Sequence, residues 1–175
     1  MESCIRFCQG NSADNVLLVY LLYRTSIVSS MLHGNDNANF WRFHSGTVSL
    51  ACAMRLDAMS DSSIQDRLIS KQSERRLFTA IYVLDKAAAF FAGRSPLLAS
   101  HRGTTALPLD ISNAILVRWE AGNSAEFDSL GIDDHTSGRI YPTTSLRARG
   151  LIARIREDIL AIALNMRQRN PLELM

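Results

Sequence analysis

Apolar positions along this chain recur three and four residues apart, which is the spacing of helical faces. A first segment, from a Ser12 cap to about Leu32, is apolar on nearly every side, with Val16, Leu17, Leu18, Val19, Leu21, Leu22, Ile27 and Val28. Such a segment is expected at the centre of a bundle, with neighbours all around it. Residues 33–37 then interrupt the pattern with glycine and Asx residues. A second helix carries Phe40, Phe43, Thr47, Leu50 and Met54 on one face, and polar residues 57–63 end it. In the third, Leu77, Ile81, Leu84, Ala88 and Phe91 make one stripe, with Phe78 and Tyr82 beside it. Ser70 or Ser73 can cap its start, Gly93 can turn left-handed just past its end, and Pro96 stops any continuation. Arg94 lies near the negative end of that helix's dipole.

Residues 95–109 form a loop closed by Pro108, and Asp110 is placed to cap a shorter helix over 111–122. An irregular stretch over 123–142 leads to the last helix. There Thr143, Thr144 or Ser145 can cap, and Ile152, Ile155, Ile159, Ile162 and Met166 draw a clean stripe. Strand alternation, internal repeats and low-complexity segments are absent. The pattern predicts an all-α chain, an irregular multi-helix array of about five to six helices. Residues 12–170 form one domain, with short tails at 1–11 and 171–175.

Composition changes this picture little. The 175 residues, 47% apolar and 21% charged, suit one globular domain with a real core. A net charge of +2 supplies no strong attraction to nucleic acid or to an anionic membrane. Charge is uneven, since residues 140–175 hold six arginines against three acidic residues. Arg147 with Arg154, and Arg149 with Arg156, are i,i+7 pairs; Glu157 and Asp158 sit among them and no aromatic residues interleave. That pattern is a solvated face with local ion pairs. Cys4, Cys8 and Cys52 make no disulfide framework, which fits a reduced, intracellular setting. The start of the chain lacks the features of a signal peptide. The apolar block over 16–23 is far shorter than a bilayer span, so no membrane association is expected.

Reactive constellations are scarce. The histidines, His33, His44, His101 and His135, are scattered; the one metal-like cluster is Asp133, Asp134 and His135, in a polar loop where acidic residues are ordinarily solvated. Serine-nucleophile motifs and phosphate-cradling glycine loops are missing, and Cys52 sits in an apolar helix as a small core residue. The reading therefore assigns no catalytic, cofactor-binding or metal-ligating residue. Asp85 flanks the buried stripe of the third helix. A carboxylate there must be paired, so it is expected to form a structural clamp with Arg94 or with an arginine from another helix. Lys86 is too close in sequence to face it.

One stretch is distinctive. Arg75-Arg76-Leu77-Phe78, then Tyr82-Val83-Leu84-Asp85-Lys86, then Gly93-Arg94-Ser95-Pro96 follow one another along a helix and its exit loop. This resembles the signature of the fungal transcription-factor regulatory domain, the middle homology region of binuclear zinc-cluster regulators. That family typically has arginine at the position of Lys86 and proline at that of Ser95. Residues 16–25 and 40–57 look like its preceding helices, although a characteristic Leu-Gly-Leu-His ending is replaced by Met54-Arg55-Leu56-Asp57. Residues 104–112 and 140–160 also look like segments that follow the motif in some members.

The resemblance implies an all-α regulatory domain acting in the nucleus on RNA polymerase II transcription, without catalysis of its own. It implies regulation by a small-molecule effector, by protein partners or by self-association. The motif residues Arg75, Arg76, Leu77, Phe78, Tyr82, Leu84, Asp85, Gly93, Arg94 and Pro96 are then structural. The zinc-cluster module needs six cysteines in tight pairs, which this chain lacks, so zinc and DNA contacts are expected only in a separate module. The family's first helices are also missing before residue 12, so the domain is expected to be partial. A helical adaptor that only binds protein, and a small helical enzyme with an unrecognised site, are the competing classes.

Overall fold

The computed structural model describes residues 15–34, 37–58, 68–98, 106–120 and 140–169. These residues form five α-helices and no strand: α1 Val16–His33, α2 Ala38–Ala53, α3 Leu68–Ala92, α4 Asn113–Glu120 and α5 Pro142–Arg169. A short 3-10 turn, Leu56–Ala58, follows α2. The helix start expected at Ser12 lies outside the described residues; α1 is capped instead by Asn15, whose Oδ1 accepts from the Leu18 amide at 2.8 Å.

α1 and α2 make a tight hairpin. Gly34 ends α1 with φ 81°, and its amide donates to Ser30 O at 2.8 Å. Asn37 then caps α2, accepting from the Phe40 amide at 2.8 Å, while its amide nitrogen donates to the Gly34 carbonyl. The same side chain ties back to α1, accepting from Ser29 Oγ at 3.2 Å and donating to Ser29 O at 3.4 Å. Leu18 and Leu22 of α1 pack with Phe43 and Leu50 of α2.

The central helix is α3, not α1. All four other helices and the 3-10 turn contact or pack around α3. The main core joins Val19, Val48, Ala51, Leu56, Leu77, Phe78, Ile81, Tyr82, Leu98 and Ala153. α1 instead leaves Leu17, Tyr20, Val28, Met31 and Leu32 exposed. By length and composition α1 would suit a membrane span. Yet it buries Thr25, Ser26 and Ser29 and lends Val19 to the shared core, which is the packing role of a domain helix. The reason is geometric: its partner α2 covers one side only, so all-round apolarity does not bring all-round burial.

α3 starts at Leu68, so Ser70 and Ser73 lie inside it and cap nothing; Ser70 Oγ instead bonds Glu74 Oε1 at 3.1 Å. Its end is as expected. Gly93 has φ 62°, and the Arg94 amide reaches Ala89 O at 3.0 Å, the six-to-one bond of a Schellman stop.

After α3 the chain recrosses the molecule, and polar groups pin residues 108–113 in place. Gln72 Oε1 accepts from the Leu109 amide at 2.9 Å. Arg76 donates to Asn113 Oδ1 at 2.6 Å and to Ile111 O at 3.4 Å, and Arg147 donates to Pro108 O at 2.6 Å. Asp110 does not cap α4; Ser112 does, accepting from the Ile115 amide at 3.2 Å. Asp110 takes the hydroxyls of Thr143 and Thr144 at 3.0 and 2.8 Å and so anchors the first turn of α5. The cap of α5 is Tyr141, whose amide donates to Thr144 Oγ1 at 2.9 Å, followed by Pro142 at the first helical position.

α5 lies along α3 with its modest side inward. Thr143, Gly150, Ala153, Glu157 and Leu160 face the body of the protein. Gly150 sits so close that an added Cβ would come within 2.9 Å of Leu107 and 3.2 Å of Thr79. The isoleucine stripe looks outward: Ile152, Ile155, Ile159 and Ile162 are 47%, 60%, 46% and 59% exposed.

Because Asn37 caps α2 and also clasps α1, Asn37→Ala should cost about 1–2 kcal/mol, the upper part of the range for a lost cap. Chemical denaturation, read as a lower midpoint with an unchanged slope, checks this.

Candidate functional site

The polar centre of the domain is built where α3 is covered on two sides at once. Asp85 and Lys86 are neighbours in sequence, so on a helix they point about 100° apart. α2 and the exit loop close over the Asp85 side, and α5 covers the Lys86 side. Both side chains are 0% exposed.

Asp85 is completely satisfied as an acceptor. Oδ1 takes His44 Nε2 at 3.1 Å and the Leu97 amide at 2.9 Å. Oδ2 takes the Leu98 amide at 3.0 Å and Lys86 Nζ at 3.3 Å. Those four bonds match the four lone-pair sites of an ionised carboxylate. Lys86 is equally saturated: Nζ reaches Asp85 Oδ2, Glu157 Oε1 at 3.1 Å and the Leu98 carbonyl, and it lies 5.0 Å from the Tyr82 ring centre. Tyr82 closes the chain by donating its hydroxyl to Glu157 Oε2 at 2.8 Å. One network thus joins α2, α3, α5 and the exit loop.

The expected clamp on Asp85 exists, with different partners. Its cations and donors are His44 and Lys86, not Arg94. The Arg94 guanidinium instead stacks over the Trp41 ring at 5.4 Å, joining the exit loop to α2. Lys86, excluded as too near in sequence, reaches Asp85 because its four-carbon stem bends back around the helix. His44 was missed although its position carried a signal. Phe40, His44, Thr47, Val48 and Ala51 form the buried face of α2, and a titratable residue on such a stripe needs a partner. His44 also stacks on Phe40 with ring centres 5.4 Å apart. Glu157 was hidden by the more apolar stripe beside it on α5.

The other motif residues take packing or tethering positions. Leu77 and Phe78 are in the core, Leu84 and Pro96 are half-buried, and Arg75 is buried. Arg76 holds the 111–113 segment as described. Cys52 packs half-buried against the core; burial first, and then the nearby Asp57 and Asp85 charges, push its thiol up and make it a poor nucleophile. Cys4, Cys8, His101 and the Asp133, Asp134 and His135 cluster lie outside the described residues. No grouping of three or more metal-ligating side chains occurs among the described ones.

Burial alone would raise the Asp85 pKa. The His44 hydrogen bond, the Leu97 amide, the Lys86 charge and the Leu98 amide outweigh it and hold the carboxyl below the ordinary carboxylate range. Tyr82 is pushed well up by burial and by its bond to Glu157, so it remains a donor. A saturated, buried ion cluster of this kind offers no open acid, base or ligand position. Its chemistry is to hold three helices and a loop in one arrangement.

Such an array, organised around polar residues in the second half of a long central helix, defines an all-helical domain. Comparison with family models places it: residues 18–172 match the fungal specific transcription factor domain. The chain belongs to that family, which is non-enzymatic. Neither curated proteins nor solved structures give a match.

Two outcomes follow from the network. Asp85→Asn should cost roughly 3–5 kcal/mol in denaturant titrations, as when one partner of a buried pair is removed. Arg94→Ala should cost far less, since Asp85 does not depend on it. The depressed Asp85 pKa also sets a sign with pH. Its stabilising contribution is fully present above the unfolded-state value, about pH 4, and is lost as pH falls through the lower folded value. Wild-type stability followed from pH 6 to 2 should decline in that acid window, and Asp85→Asn should flatten the decline.

Proposed function

We propose that this domain regulates RNA polymerase II transcription in the nucleus by binding protein, and that bound and free forms differ in the packing of α5. The observation that carries this reading is the two-sidedness of α5. Its polar and small residues engage the body of the domain while its isoleucines face solvent. Exposed apolar stripes of this kind mark interaction surfaces, because leaving them in water forgoes their burial energy. The exposed side of α1 adds a second apolar face. The saturated network supplies the other requirement of a regulatory domain, a defined ground state that a partner can bias. The role of Asp85, Lys86 and the other motif residues in this reading is structural.

A tethering assay tests the reading. The chain is placed between a heterologous DNA-binding domain and a strong activation domain, and reporter output is compared with and without it. It should alter output by about fivefold or more, the usual size of a regulatory coupling. Ile155→Glu with Ile159→Glu, on the exposed face, should remove most of that effect while leaving protein levels unchanged. An output that ignores the domain, or ignores the substitutions, would overturn the proposal.

A further inference from the structure

We infer that the outer face of α5 is a self-association seam whose occupant is the same helix of a second copy. This rests on the reading that the face binds protein, and it names the partner.

Ile152, Ile155, Ile159 and Ile162 are spaced three, four and three residues apart, and the sequence continues the series at Met166. That is the a/d repeat of a coiled-coil seam, narrower than the stripe of an ordinary core-facing helix. The inward residues Gly150, Ala153, Glu157 and Leu160 fall on the opposite side of the same heptads, where α3 already covers them. Isoleucine at both a and d packs against its own copies in parallel coiled coils, with a preference for three or four strands over two. The exposed stripe on α1 is different in kind, because the exposed Arg24 interrupts it.

Charge beside the seam agrees with two copies running parallel. Parallel pairing sets Leu151 against Arg156 and Asp158 against Ala163 of the other copy, so like charges never meet. Antiparallel pairing, in the register that overlaps all four isoleucines, brings Arg156 against Arg156 and Asp158 against Asp158. Area agrees with weak association. The four isoleucines and Leu151 expose on the order of 450 Å² of apolar surface, within the roughly 300–600 Å² that the largest and often functional patch of a monomer covers. With the flanking stems, two copies approach the low end of specific interfaces, about 600 Å² per partner.

Sedimentation equilibrium of the purified chain over a wide concentration range tests the inference. A rise from monomer mass to that of a dimer, or of the trimer or tetramer that isoleucine at both core positions favours, is expected over about 1–100 µM. Ile155→Glu with Ile159→Glu should weaken it about a hundredfold, with helix content by circular dichroism unchanged because both positions are exposed. Met31→Glu, on the exposed side of α1, should leave the association intact. A wild-type chain that stays monomeric at the highest concentration would overturn the inference, as would association that survives the α5 substitutions. Monomeric protein together with a reporter effect that still requires Ile155 and Ile159 would assign the seam to a different protein and leave the regulatory reading standing.

Discussion

Two opposite charges in adjacent positions of one helix, both fully buried, are the constraint around which this domain is arranged. Taking Asp85 and Lys86 out of water costs several kcal/mol for each ion, so every bond they can make must be made inside the protein. No single neighbour could supply those bonds. Asp85 needs a donor from α2 and two amides from the chain just past α3, and Lys86 needs a carboxylate from α5. The course of the exit loop follows from this. Gly93 must turn left-handed after Ala92 so that Leu97 and Leu98 come back over the last turns of α3. An apolar pair in the same places would fill space without fixing which helix lies where. We regard the ion cluster as specifying the arrangement, a role buried polar groups play in some proteins.

Helices were legible in the sequence because the three- and four-residue spacing is strong over long segments. Their order from inside to outside was not. α1 is the most apolar segment, and apolarity alone placed it at the centre. The central position belongs to α3, whose mixed composition includes the charges that bind its neighbours. Hydrophobic content measures how much a helix gains from contact; it does not say how many neighbours it has. The same limit hid the orientation of α5. Its isoleucine stripe is the more obvious face, yet Gly150, Ala153 and Glu157 are the residues that allow close approach and reach Tyr82 and Lys86.

Helix ends show a related limit. Gly93 was readable because a left-handed stop strongly favours a residue without a Cβ, although Arg55 takes the same region with one. Asp110, Thr143 and Thr144 all have the chemistry of caps; both threonines bond Asp110 across 33 and 34 residues, and only Thr144 is also used locally, accepting from the Tyr141 amide. A side chain suited to bond a nearby backbone amide is equally suited to a distant hydroxyl. Local pattern cannot separate the two uses. The need of Asp85 for partners was legible for the same reason that its partners were not: burial cost is a local property, whereas donors arrive through the fold.

The network and the exposed seam are two sides of one helix. Glu157 lies between Ile155 and Ile159 in sequence, pointing inward to Lys86 and Tyr82 while they point out. A helix is stiff over two turns, so whatever packs on those isoleucines bears on the segment that carries Glu157. Glu157 holds two bonds of the cluster, and Lys86 passes the connection to Asp85, His44 and the exit loop. A force on α5 that lengthened the Glu157 contacts would leave a buried ammonium and a buried phenol short of acceptors. Because unmet buried bonds are expensive, α5 resists small displacements, and a larger one must exchange the whole set of contacts for another. That is the physical form of a two-state element, and on the proposed reading α5 is where a bound partner would act on the buried ion cluster.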